Sequence, residues 1–313
     1  MAGSIVHWDE VERVHQEAGG IAGWWTPLGD AAGTVNVGVN RIQVDPGKRS
    51  TPLHMEGDEE ELFYVLGGSG LSWQFDGKDF ATFEIRAGDC LFHEAEGEAH
   101  SVVAGPDGID LLAFGTRAWA RLTYFPRIEG ARIGPAWADK LPQHQWEREA
   151  ALGEPELPEP SPRPKRIVNV DELEDEHGDW GKGDVRAWSR ELGLAVGSIR
   201  TGISHIRVAP GMRNTPPHCH SAEEELFVVL EGDGVCELGD EEHPVRRGHV
   251  VSRPPGTRVA HSFRAGDDGL TLLTYGTREP NDIAYYPRSG KINVRGVGVI
   301  GRIERLDYWD GEE

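Results

Sequence analysis

The chain has 313 residues, 27% charged and 38% hydrophobic, and its 32 basic against 53 acidic side chains leave a net charge of −21. That acidity repels phosphate and argues against nucleic acid or an anionic membrane as a partner, and no apolar run approaches the length of a membrane span. The length predicts two domains of ordinary size, each able to bury its own core.

The opening MAGSIVHWDEVERVHQ has neither a basic start nor an apolar stretch, so no secretory signal is expected. Three cysteines (Cys90, Cys219 and Cys236) without a CxxC argue against a disulfide framework or a zinc ribbon, and for a reducing, cytoplasmic location. DEVERVHQ and the later VDELEDE are each expected to form a helical turn near a domain start.

From there onward almost every segment occurs twice. SIVHWDEVE (Ser4 to Glu12) answers to RIVNVDELE (Arg166 to Glu174), and GVNRIQVDPGKRSTPLH (Gly38 to His54) to GISHIRVAPGMRNTPPH (Gly202 to His218). LLAFGTR pairs with LLTYGTR, and YFPR (Tyr124 to Arg127) with YYPR (Tyr285 to Arg288). The pairs keep their order, which predicts two copies of one domain and not a solenoid. Between them, Pro-rich and acidic EPELPEPSPRPKR reads as an extended, semi-rigid connector. The expected division is a first domain at 1–150, a linker at 151–165 and a second domain at 166–313.

Within each copy the signal is short strands. In the second they are HIRVA, LFVVLEG, GVCEL, HVVSR, AHSF and TLLTYG, separated by turns such as EGDG, PPGT and GDDG. The pattern predicts an all-β sandwich or barrel. SAEEELFVVLEG is read as turn then strand, because its Val-Val-Leu core and terminal glycines disfavour a helix.

The stretch PPHCHSAEEELFVVLEGDG (Pro216 to Gly234) carries the chemistry. On a strand, His218 and His220 share a face; on a helix they would diverge by about 200°. Glu225 opens the next strand on the face of Phe227 and Val229, and His261 can join from another strand. Three imidazoles and a carboxylate suit a first-row divalent ion and leave coordination positions open.

These residues resemble the cupin superfamily. Its first motif, G(X)5–6HXH(X)3–4E(X)6G, is read by Gly211, His218, His220, Glu225 and Gly232, and its second, G(X)5PXG(X)2H, by Gly248, Pro254, Gly256 and His261 with two extra residues before the histidine. The resemblance covers nearly the whole chain and implies a bicupin: two tandem jelly-roll barrels with few short helices, and one divalent transition metal (Fe, Mn, Ni, Cu or Zn) per active barrel. The implied ligands of the second barrel are His218, His220, Glu225 and His261. In the first copy, PLHMEGDEEELFYVLGGSG, they are His54, Glu56, Glu61 and His100; Glu56 replaces a histidine, and the second motif lacks its proline and has one extra residue before His100. The first barrel is either a site with altered ligands or a barrel kept for packing, and His93 could also face inward there.

Other residues have plainer readings. Glu223 and Glu224 are expected to face solvent in the turn. Cys219 and Cys236 are read as small buried hydrophobes, His243 and His249 as surface residues, and Trp24 and Trp188 as core. Tyr124, Tyr285 and Tyr286 are read as barrel packing, and Arg127 and Arg288 as salt-bridge partners. Function is expected to be that of a metal-dependent enzyme acting on a small molecule. Dioxygenase chemistry is favoured, with a Lewis-acid isomerase, decarboxylase or lyase as one alternative and a non-catalytic ligand-binding protein as another. Cupin barrels commonly pair through their sheets, which a homodimer or the two copies within one chain can satisfy.

Overall fold

A computed structural model describes residues 4–117, 121–134, 136–137 and 143–312; the first three residues of the opening segment lie outside them. The two halves are built alike and are almost entirely β. In the second, Glu225–Leu238 is flanked by His249–Arg253 and His261–Thr277, followed outward by Thr201–Val208, Val185–Arg190 and Glu176–Lys182. A smaller sheet of Cys219–His220, Ile283–Tyr286, Lys291–Val294 and Val299–Arg302 lies beside it. The first half repeats this order around Glu61–Phe75 and Ala99–Thr116, with Met55–Glu56 and Leu122–Phe125 in its small sheet. No helix among the described residues is long and apolar enough to cross a membrane.

Several expected turns are instead bends within long strands. LFVVLEG and GVCEL form one strand, Glu225–Leu238, and AHSF and TLLTYG form another, His261–Thr277. Their ladder shifts register between Val229 and Glu231 and again between Gly232 and Gly234, so the glycines produce bulges that curl the sheet. Gly232 has φ +74°, and a Cβ there would lie 2.2 Å from the carbonyl oxygen of Gly269. The expected helical turn appears at Val170–Glu172, but in the first copy Val14–Ala18 is a strand paired with Ile21–Thr26.

The repeated opening strands are exchanged. Ile5–His7 pairs with His249–Arg253 of the second barrel (Ile5 opposite Val251), and Ile167–Asn169 with Asp89–His93 of the first (Ile167 opposite Leu91). The connector runs along the first barrel, where the Ser161 N–H donates to Thr82 O (2.7 Å) and Arg163 reaches Asp89 (2.7 Å).

Strand alternation explains the packing between barrels. Phe227, Val229 and Val251 line the second barrel's interior. Leu226, Val228 and Leu230 point the other way, into a cluster shared with Leu62, Tyr64, Phe92 and Phe114 of the first barrel. Phe114 and Tyr275 meet there, ring centroids 4.8 Å apart. Glu224 lies on this same face. It is fully buried, not solvent-facing as expected, and accepts from the backbone N–H groups of Val35 (2.8 Å), Asn36 and Val37 (3.3 Å). Glu60 returns the contact, accepting from the N–H groups of Ile199 (3.2 Å), Arg200 (3.0 Å) and Thr201 (3.2 Å).

Three further expectations are corrected. Trp24 and Trp188 are only half-buried, on outer strands, with guanidinium groups over their rings (Arg13 at 4.3 Å; Arg207 at 5.5 Å); among the described residues the buried tryptophans include Trp8 and Trp73. Cys219 is half-buried, whereas Cys90 and Cys236 are buried, and all three are free thiols. Tyr124 is 40% exposed and packs into neither barrel core.

Candidate metal centres

In the second barrel the short strand Cys219–His220 pairs with Ile283–Tyr286, and His218 is bridged backbone to backbone to His261 (His261 N–H to His218 O, 2.8 Å). Glu225 enters from the first residue of its strand. These constraints bring the four predicted side chains together. Glu225 Oε2 lies 2.9 Å from His261 Nε2 and 3.4 Å from His220 Nε2, and the His218 and His220 rings are 4.9 Å apart. His218 Nδ1–H donates to Pro216 O (2.9 Å), which turns Nε2 inward as a lone pair.

His220 Nδ1 is held by Asp282 Oδ2 at 2.7 Å, a residue the sequence reading does not reach. Asp282 comes from a loop distant in sequence, with no motif to mark it. Tyr286 was read as packing, yet it stacks on His218 (5.4 Å, 21°). Glu223, expected in solvent, is 4% exposed; its carboxylate meets Arg295 (2.7 Å) and the Glu279 N–H (3.0 Å).

In the first barrel His54, Glu61 and His100 converge likewise, with Glu61 Oε2 at 2.9 Å from His100 Nε2 and 3.9 Å from His54 Nε2. Glu56 Oε1 stands 3.9 Å from His54 Nε2, and Glu56 Oε2 accepts from the Thr123 hydroxyl (3.0 Å). His93 does face inward, stacked on His100 at 3.7 Å with Nδ1 against Glu98 (3.2 Å). Phe125, the counterpart of Tyr286, stacks on His54 (6.2 Å, 28°). A cavity of about 390 Å³ opens over this site, lined among others by His54, Glu56, Glu59, Arg121, Thr123 and Gln145. As expected, Arg127 pairs with buried Glu149, and Arg288 lies near Asp184 (3.5 Å). His243 lies beside Glu241 (3.3 Å), and half-buried His249 sits edge-on to His7 (4.8 Å).

The protonation pattern suits metal binding. Burial, then the neighbouring imidazole, pulls His54 and His218 down to about 4, so both are neutral at pH 7. Burial opposes ionisation of Glu61 and Glu225, but the surrounding histidines outweigh it. They hold Glu61 at about 2 and Glu225 well below the usual carboxylate range. Glu56 is pushed up to about 8 by burial and by Glu61 and Glu59. His220 Nε2, His261 Nε2, Glu225 Oε2, His100 Nε2 and Glu61 Oε2 are buried without a hydrogen-bond partner. Leaving such atoms unpaired costs about 1–3 kcal/mol each. Lone pairs that face one another at these distances fit a divalent cation placed among them.

Comparison with known proteins agrees with this architecture. A family model described as a cupin domain matches residues 40–110 and again 204–274. No curated protein matches the sequence. Among solved structures, the chain is similar to Lactobacillus farciminis oxalate decarboxylase in a formate complex, with a TM-score of 0.62 at 15% identity, over 89% of this chain and 87% of that one. It is also similar to Bacillus subtilis oxalate decarboxylase in a structure described for its Mn(II) centres, with a TM-score of 0.62 at 15% identity, over 90% and 79%. A deletion mutant of the Bacillus enzyme gives a TM-score of 0.60 at 14% identity, over 90% and 80%. At such identities the likeness concerns the fold. With the two domain matches, the duplicated barrels and the His/Glu groups in each, the chain is a tandem bicupin of the cupin superfamily.

Proposed function

We propose that this bicupin is a divalent-metal enzyme acting on a small organic acid, with decarboxylase or related lyase chemistry as the leading reaction. The observation that carries the metal reading is the set of buried, unpartnered imidazole and carboxylate atoms facing one another in each barrel. His218, His220, Glu225 and His261 would hold the ion in the second barrel, and His54, Glu56, Glu61 and His100 in the first. When bound, the ion would supply Lewis acidity to a substrate oxygen.

The chain's own residues do the rest. Tyr286 and Phe125 cover one face of a ligand histidine in each barrel and limit access of water. The cavity over His54 is of a size for a small molecule, and its wall carries Arg121, paired with Glu59, together with Arg132 and Glu56. Glu56 lines the same cavity and is held by the Thr123 hydroxyl, so its carboxylate would be ionised on binding the ion. The fold shared with oxalate decarboxylases favours this reading over dioxygenase chemistry. The three-imidazole, one-carboxylate set of the second barrel keeps the dioxygenase as a second reading, since it also suits a redox-active ion. The three free cysteines fit a reducing, cytoplasmic setting.

Metal analysis of tag-free protein comes first. His218→Ala with His261→Ala should remove one ion per chain, and unchanged metal content would sink the assignment. Small mono- and dicarboxylic acids then separate the reactions. CO2 release without consumption of O2 supports the lyase, stoichiometric O2 uptake supports the dioxygenase, and binding without turnover leaves a ligand-binding protein.

A further inference from the structure

His220 is the second-barrel ligand whose orientation depends on a distant part of the chain. Its Nδ1 lies 2.7 Å from Asp282 Oδ2, and Asp282 is 1% exposed. The other carboxylate oxygen of Asp282 is already committed. Oδ1 accepts from the backbone N–H groups of Ser221 (3.1 Å), Ala222 (2.9 Å) and Glu223 (3.2 Å), and from the Ser221 hydroxyl (3.3 Å). The carboxylate therefore cannot rotate, and Oδ2 is available only to His220.

The first barrel is built differently at the same place. Tyr124 aligns with Tyr285, so Arg121 stands where Asp282 stands in the second copy, and Thr123 faces Glu56 as Ala284 faces His220. Glu56 accepts from the Thr123 hydroxyl (3.0 Å), and Arg121 lies 3.2 Å from Glu59. Thus the residue behind the ligand changes with the ligand: an anion stands behind an imidazole, and a hydroxyl donor and a cation stand beside a carboxylate. A first copy that had merely decayed would not be expected to show this match.

We propose that Asp282 is the positioning residue of the second-barrel centre, fixing His220 with its proton on Nδ1 and its Nε2 lone pair turned toward Glu225. The proposal rests on the reading of His218, His220, Glu225 and His261 as metal ligands. A carboxylate behind a ligand histidine sets its tautomer and ring orientation, and its loss typically lowers metal affinity by about 10–100-fold.

Asp282→Asn tests this in the full chain. The three backbone donors and the Ser221 hydroxyl keep the Asn carbonyl oxygen where Oδ1 was, so the amide NH2 faces His220. His220 must then accept at Nδ1 and carry its proton on Nε2, the atom that faces the metal position. The probe is Mn2+, titrated calorimetrically into metal-free protein in which His54→Ala and His100→Ala silence the first barrel. Affinity should fall about 10–100-fold, and the ¹⁵N chemical shifts of His220 in the metal-free protein should show the Nδ1–H tautomer replaced by Nε2–H. Ser221→Ala removes one contact to Oδ1 but leaves Oδ2 alone, and should keep both the affinity and the tautomer. Equal weakening by Ser221→Ala and Asp282→Asn, or wild-type affinity with Nδ1–H retained in Asp282→Asn, overturns the proposal. If the parent chain binds no Mn2+ that depends on His218 and His261, the metal reading fails and the proposal fails with it.

Discussion

Glu224 offers a direct test of how the two barrels are held together. Its side chain is fully buried on the face that meets the other half, where it accepts from three consecutive backbone N–H groups, those of Val35, Asn36 and Val37. Glu224→Ala removes every acceptor at once. Each stranded buried donor costs about 1–3 kcal/mol, and breaking a buried charged interaction costs about 3–5 kcal/mol in total. Water entering the gap would recover part of this, so a loss of about 3–5 kcal/mol is expected. Glu224→Gln keeps one acceptor oxygen but turns an NH2 toward a donor, and should lose about half as much. Glu60→Ala, the reciprocal contact to Ile199, Arg200 and Thr201, should match Glu224→Ala. The assay is equilibrium urea unfolding followed by both tryptophan fluorescence and circular dichroism. Separation of the two transitions in the variants would show the barrels parting before they unfold. A loss below about 1 kcal/mol for Glu224→Ala, with an unchanged denaturant slope, would mean that the apolar cluster alone holds the barrels.

Two other outcomes follow from local geometry. Gly232→Ala should destabilise the chain by about 2–4 kcal/mol in the same assay, because φ is +74° and the added Cβ would meet the Gly269 carbonyl at 2.2 Å; wild-type stability would show that the bulge can shift at little cost. His205 is held down to about 4 by burial and by Arg190 and Arg207, so between its ordinary 6.5 and 4 the unfolded chain binds a proton that the folded chain does not. Its contribution to stability is intact above pH 6.5 and is lost as pH falls toward 4, by up to roughly 3 kcal/mol. The unfolding free energy of His205→Gln should therefore fall less steeply over that range than that of wild type, and parallel curves would refute this.

Much of the design was legible from residues close in sequence. The duplication, the β class and the convergence of His218, His220 and Glu225 follow from repeats and from the two-residue period of a strand. The same period places Glu224 on the face of Leu226 and Val228. What it does not say is whether that face meets water or protein. The unbroken run Leu226 to Leu230 was the available signal, since a strand apolar on both faces is buried on both. The expected turns failed at Gly232 and Gly269 because a glycine with positive φ serves a bulge as well as a hairpin.

By itself, then, the sequence determined which side chains share a strand face, and its two motifs carried the resemblance that implied a bicupin with an imidazole–carboxylate set in each half. The tertiary structure decided which faces are covered and what stands behind each ligand. It exchanges Ile5–His7 and Ile167–Asn169 between barrels, buries Glu60 and Glu224 in the interface, and brings Asp282 to His220. The physical reason is that covalent spacing sets direction along a strand. Burial, proton position and the partner of a charge depend on which distant segment packs against it.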